Sequence, residues 1–210
     1  MSEFQCPSCS GVLKFKSTSS VTMTCPFCTS TVVRHDLNLE LLGKVSGTIE
    51  DLSPLQVGTS GYVGSKAFQI VGRATYSWDD GVWNEWRITY LDGSNGWLAE
   101  AQGEFTIFDD AISSADKGFL NNLKVNAEID FNGSKFMVTD IKKAECIGVE
   151  GELPFVGTKG RKGTFYDLSG FKNEFLTFEE TEAGSNLFRG QKIDFDNLKL
   201  STLRYIDGWD

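Results

Sequence analysis

Between residues 60 and 110 the apolar positions recur every second residue, and no helical period is sustained. In AFQIVGRATYSW, Phe68, Ile70, Ala74, Tyr76 and Trp78 share one parity, the mark of a half-buried strand. Asp79-Asp80-Gly81 is a hairpin turn signal. In the return stretch WNEWRITYL, Trp86, Ile88 and Tyr90 again share a face. DGSNG then turns the chain before Trp97 and Leu98. The pattern predicts a mainly β protein, with an antiparallel, barrel-like body over residues 57–205.

The second half follows the first. GSKFMVTDIKKA (133–144) tracks GSKAFQIVGRATY (64–76), and YDLSGFKNEFL (166–176) tracks TYLDGSNGWL (89–98). Two similar β units are therefore expected, at about 57–110 and 125–200, with the same strand order. Chance likeness between glycine-rich hairpins is the competing explanation. The stretch 111–127 between them is read as room for one short helix. GVEGELPFVGTKGRKG (148–163) is a longer insertion within the second unit.

The first 36 residues have a different character. Cys6 and Cys9, and Cys25 and Cys28, form two C-P-x-C pairs separated by 15 residues. Two residues between thiolates let a tight turn aim both sulfurs at one ion, and two such turns complete a tetrahedron. VLKFK and VTMTC read as short strands joined by STSS, so the segment predicts a zinc ribbon holding one structural ion. With little core of its own, such a module takes its folding energy from the metal, roughly 10–16 kcal/mol in comparable peptides. Iron in the same four thiolates is an alternative. A redox role fits less well, since a redox-active C-x-x-C is usually single and precedes a helix. His35 is surplus to a complete four-thiolate site. Residues 37–56 join the two parts: the alternating leucines read as a short strand or helical turn, and Gly43, Gly47 and Pro54 then mark a linker.

Charge and composition limit the function. The chain of 210 residues carries a net charge of -9. Residues 1–36 hold Lys14, Lys16 and Arg34 against Glu3 and Asp36, so the excess of acid lies in the body. An acidic body repels phosphate backbones, which argues against nucleic acid as its partner. No apolar run reaches the ~18 residues of a membrane span, and MSEFQCPSC has no secretory character. The expected compartment is the cytoplasm, where reduced thiols favour metal over disulfide.

FQIVGRATY, WNEWRITYLDGSNGWL, FNGSKFMVTDIKKA, VEGELPF and FRGQKIDFDNL occur in an order that resembles the bacterial domain of unknown function family numbered 4178, over roughly residues 55–203. Its most specific pieces here are Trp83, Glu85 and Trp86, the pair Trp97-Leu98, and Glu150 to Pro154. The resemblance implies a β-rich body that sometimes carries an N-terminal zinc ribbon. It also implies genes beside polyamine-biosynthesis-like enzymes and small membrane proteins, hence a role in membrane or envelope stress. It implies no reaction.

Catalytic chemistry is hard to assemble from the sequence. The single histidine lies beside the ribbon, so Ser-His or Cys-His pairs in the body have no base. Cys146 continues the parity of Phe136, Val138 and Ala144 and reads as a buried thiol. GTKGRKGT fails the phosphate-loop pattern because Lys162 stands where glycine is required, leaving Lys159, Arg161 and Lys162 as a solvated basic tip. Glu150 and Glu152 fall on one strand face about 7 Å apart and could take a polyamine or other cation. Trp83, next to a turn, is the aromatic expected to make an exposed contact. The sequence thus points to a non-enzymatic adaptor with a protein partner. The alternative is an enzyme using Glu150, Glu152 or Asp167, which a buried, shifted carboxylate in a deep pocket would favour over a shallow aromatic surface.

Overall fold

The computed structural model describes residues 3–35, 38–44, 51–114, 123–157 and 159–207. The chain is nearly all strand. β1 (Glu3–Gln5) and β2 (Val12–Lys14) form one hairpin. β3 (Thr22–Thr24), β4 (Ser30–His35) and β5 (Asn38–Lys44) form an antiparallel meander. The first half of the body then runs through β6 (Ser60–Val63), β7 (Lys66–Trp78), β8 (Gly81–Tyr90), β9 (Asn95–Ala101) and β10 (Glu104–Asp109). After the short β11 (Ser113–Ser114), the second half repeats this order. It comprises β12 (Glu128–Phe131), β13 (Ser134–Leu153), β14 (Lys162–Ser169), β15 (Glu174–Thr181) and β16 (Gly184–Ile193). Residues 115–122 of the 111–127 segment, read as room for one short helix, lie outside the described residues.

Eight strands close into a ring. Each of β7 to β10 pairs with the next, β10 pairs with β16, the second half returns from β16 to β13, and β13 pairs with β7. Every pairing is antiparallel. The two halves meet at equivalent seams, first long strand to first long strand and last to last. A closed ring leaves no free edge along the barrel wall.

The expected single face of each long strand is divided. Phe68 and Ile70 pack into a cluster with Trp86 and Ile88, whereas Ala74 and Tyr76 pack with Trp97 and Phe165. The register of β7 slips between Ile70 and Gly72, and an extra residue reverses the side to which later side chains point. β13 does the same. Phe136 and Val138 join one cluster, Ala144 and Cys146 another, and the register slips between Val138 and Asp140. The corrected pattern has three layers. The cluster containing Tyr76, Trp97 and Cys146 lines the barrel interior. The other two cover the outside of each half.

Leu55, Leu198, Leu200 and Phe195 close the outer face of the first half. A polar network fixes this cover. Arg73 donates to Asn84 Oδ1 and to Asp51, Trp86 Nε1 donates to Glu100 at 2.9 Å, and Arg204 pairs with Asp51 at 2.8 Å. Leu123, Ala127, Ile129 and Phe131 play the corresponding part over the second half. Where β7 and β13 cross, Gly72 faces Gly151. A Cβ at Gly72 would lie 1.9 Å from the carbonyl oxygen of Glu152, so only glycine permits this approach.

Of the two readings of the alternating leucines, the strand is the one found: β5 pairs with β4 along its length. The far end of β13 leaves the barrel and pairs with β3, so the N-terminal unit is joined to the body through a shared sheet.

Candidate functional site

Two constellations carry chemistry, a thiol cluster at the N-terminus and a polar chamber inside the barrel. The thiols sit on two matching turns. In each, the first cysteine's carbonyl accepts from the fifth residue, Ser10 N–H to Cys6 and Thr29 N–H to Cys25. Ser10 and Thr29 both have a left-handed backbone, at φ 61° and 58°. The four sulfurs lie within 4.8 Å of one another, with Cys6 to Cys28 at 3.7 Å and Cys9 to Cys25 at 3.8 Å. A tetrahedral ion with Zn–S bonds of about 2.3 Å needs sulfurs roughly 3.8 Å apart, so the donor set fits such an ion. Four thiolates complete the coordination and leave no open position. His35 takes no part and pairs with Glu40 at 3.0 Å. Contrary to the expectation of almost no core, Phe4, Leu13, Phe15, Met23 and Val32 pack together under the turns.

The interior of the barrel holds two adjoining cavities of about 940 and 1190 Å³, whose walls share Glu85, Ala99, Phe108 and Thr177. Trp97, Phe155 and Phe188 line the first; Trp83, Phe165 and Phe175 line the second. Strand pairing explains why these side chains meet. Tyr76 lies opposite Trp83, Glu85 opposite Ala99, and Thr177 opposite both Asp167 and Phe188, so all point inward. Trp83 stacks on Tyr76 at 5.1 Å and meets Phe165 edge-on at 5.0 Å.

Charged groups sit among these rings. Arg161 pairs with Glu179 at 2.6 Å, donates to the Tyr76 hydroxyl at 2.5 Å and lies over Phe155 at 4.5 Å. Asp167 accepts a hydrogen bond from Thr177 at 2.8 Å, and Glu85 accepts one from the Trp83 indole at 3.1 Å. Burial, reinforced by the charges of Glu179 and Asp167, pushes Glu85 up to about 8. Burial also raises Asp167, against the opposing pull of Thr177 and the more distant Lys142 and Lys192. Carboxyl groups perturbed by burial inside a cavity cluster at functional sites.

The model of a domain of unknown function, DUF4178, matches residues 56–195. The chain belongs to that family. The matched span contains the whole DUF4178 barrel and its chamber, and stops short of the thiol cluster. No curated protein and no solved structure matched the chain.

The residues singled out from sequence scatter across the DUF4178 barrel. Trp83 is turned into the chamber and not out to a partner, and Glu85 lies beside it. Arg161 is likewise drawn inward, while Lys162 is exposed and reaches Glu145 at 3.7 Å. Lys159 lies at the mouth of the first cavity. Glu150 and Glu152 do not form an open pair. Glu150 faces Arg73, and Glu152 is buried, accepting from Lys16 N–H at 2.8 Å, Ser17 N–H at 3.1 Å and Ser20 Oγ at 2.9 Å. Glu152 therefore docks the N-terminal unit onto the body. Cys146 is buried as expected, with its thiol pushed up to about 11 mainly by burial.

Sequence reasoning missed Glu179, Phe108 and the inward role of Trp97. One signal was present. WNEWRITYL carries tryptophan on both parities, which means that both faces of the strand are covered, as a barrel wall with an outer layer requires.

Proposed function

We propose that this protein is a ligand-binding barrel, bacterial and cytoplasmic, whose zinc ribbon braces one mouth of the chamber. The observation that carries this reading is the closed eight-strand ring around two adjoining cavities in which aromatic rings stand beside convergent charged and polar side chains, among them Glu85, Asp167, Arg161 and Glu179, as in a small-molecule site. Zinc is the favoured ion because four closed thiolates suit a structural zinc. The ribbon's position supports a bracing role. Thr22 donates to the carbonyl of Phe155, and Phe155 both stacks on Trp97 at 6.2 Å and underlies Arg161. No helix among the described residues is long and apolar enough to cross a membrane.

The test is to fill the chamber. Ala99 lines both cavities, so Ala99→Trp should occupy the space where they adjoin while leaving the strand pairing intact. A thermal-shift panel of small amines, acids and neutral aromatics should include compounds that stabilise the wild type. At a hundredfold excess over Kd the gain is about 2.7 kcal/mol. Those compounds should leave Ala99→Trp unshifted. Equal shifts in both proteins would overturn the reading.

An enzymatic reading has one specific support, the raised carboxyls of Glu85 and Asp167 in a deep cavity. Turnover of any compound that binds, abolished by Glu85→Gln or Asp167→Asn without unfolding, would establish it. Binding without turnover would leave the carrier or sensor reading in place.

A further inference from the structure

We propose that the chamber takes a flexible aliphatic cation with two or more ammonium groups, held by Glu85 and Asp167 against the aromatic wall. This inference rests on the reading of the interior as a ligand site.

The charge balance of the chamber carries it. Among the cations lining the cavities, Arg161 has Glu179 at 2.6 Å, Lys142 has Asp140 at 2.6 Å, Lys192 has Glu104 at 2.6 Å and Lys162 has Glu145 at 3.7 Å, while Lys143 and Lys159 are exposed at the mouths. Asp110, on the wall of the first cavity, is paired by the buried Arg87 at 2.8 Å. Glu85 and Asp167 are left over. Each receives one neutral hydrogen bond, from Trp83 and Thr177, and among the described residues no lysine or arginine lies within ion-pair distance of either. A half-buried carboxylate with no cation at ion-pair distance is disfavoured in its charged form, and in the empty chamber a held proton relieves that cost.

An ammonium group supplies what is missing. It brings positive charge to the carboxylate and sits well on an indole or phenyl face. The barrel already uses this contact, with Lys142 5.2 Å from the Trp78 ring centre and Arg161 over Phe155. Two carboxylates that feel each other's charge call for two ammonium groups. Phe108 and Phe165, in the same wall, suit the methylenes that join them. Asp79 and Asp80 stand exposed at the mouth of this cavity, where they favour entry of a cation. An anion would add to the repulsion, and a neutral apolar ligand would leave both carboxyls without a partner.

Binding also carries a proton signature. Glu85 holds its proton in the empty chamber at neutral pH and must release it to pair with an ammonium group. Affinity should therefore rise as pH increases from 6 toward 8.5, while the amines remain charged.

Isothermal titration calorimetry with 1,8-diaminooctane tests the proposal, with n-octylamine, 1-octanol and octanoate as comparisons. The diamine should bind at least tenfold more tightly than n-octylamine, and octanoate should not bind. Glu85→Gln and Asp167→Asn should each weaken the diamine tenfold or more, and Glu85→Gln should remove the proton release seen in buffers of different ionisation enthalpy. Near-ultraviolet circular dichroism shows whether each variant keeps its packed aromatics. The pH dependence of the wild type stands as a separate readout if one variant does not fold. The proposal is overturned if octanol or octanoate matches the diamine, or if neither variant weakens it. If no amine binds but other compounds lose binding in Ala99→Trp, the ammonium class fails and the chamber reading survives. If no compound that binds is lost in Ala99→Trp, the chamber reading itself fails.

Discussion

Glu85→Gln should change how stability depends on pH, and the structure gives both sign and size. Glu85 faces Tyr76 on β7, Cys146 on β13, Asp167 on β14, Glu179 on β15 and Arg161 just before β14, and the net effect of burial and these charges lifts it from 4.5 to about 8. The native state therefore holds a proton that the unfolded chain has already lost. Between those two values the unfolded state binds fewer protons, so stability falls as pH rises. The penalty is absent below about pH 4.5, grows by at most about 1.4 kcal/mol per pH unit, and is complete above pH 8 at about 4–5 kcal/mol. Asp167, also raised, adds a slope of the same sign starting from a lower pH. Glutamine keeps the shape and the bond from Trp83 but cannot ionise. Urea unfolding of both proteins from pH 5.5 to 9 is the assay. The variant should gain on the wild type steadily up to pH 8, reaching an advantage of several kcal/mol. Parallel curves would refute the claim that Glu85 is a chamber carboxyl with no ion-pair partner of its own.

Three other outcomes follow from the packing. Glu152→Ala removes a buried carboxylate that accepts three hydrogen bonds from the ribbon, so it should cost about 3–5 kcal/mol and expose residues 3–44 to limited proteolysis. Gly72→Ala would press a methyl group against the backbone of Glu152 where β7 and β13 cross. It should cost more than about 3 kcal/mol or prevent folding, measured by expression and urea unfolding. Cys25→Ser should abolish the metal, counted by elemental analysis against protein, while the far-ultraviolet spectrum of the barrel persists. It should also weaken any ligand that needs Phe155 and Arg161, because the ribbon holds that part of the wall.

Much of the architecture was legible because strands announce themselves locally. Period two over 66–98 identified the wall, the paired cysteines identified the turns that gather four thiols, and the likeness of 64–76 to 133–144 anticipated two halves of the same strand order. The faces were not legible. Parity is meaningful only while the register is unbroken, and one extra residue in each long strand parts Tyr76 from Phe68 and Ile70, and Cys146 from Phe136 and Val138, with which each shares a parity. The chamber was hidden for the same reason. Glu85 and Asp167 lie 82 positions apart in sequence and meet only because β8 and β14 curve around one barrel. Glu150 and Glu152 looked like a pair by spacing. The left-handed backbone at Gly151, φ 61°, and the pairing of Glu152 with Met23 give them separate tasks. The inward turn of Arg161 depended on Glu179, which no local pattern connected to it.

The central claim is that the ligand enters the barrel, and the tryptophan side chains report on that directly. Trp83 lines the chamber, whereas Trp86, three residues along the same strand, is buried in the outer cluster and bonded to Glu100. Indole N–H resonances can be followed by heteronuclear NMR while 1,8-diaminooctane is titrated into the zinc-loaded protein. The account predicts a saturable shift of the Trp83 indole, with the Trp86 indole unmoved. A saturable shift at Trp86 or in the ribbon with Trp83 unmoved, or no shift at any concentration, would contradict it.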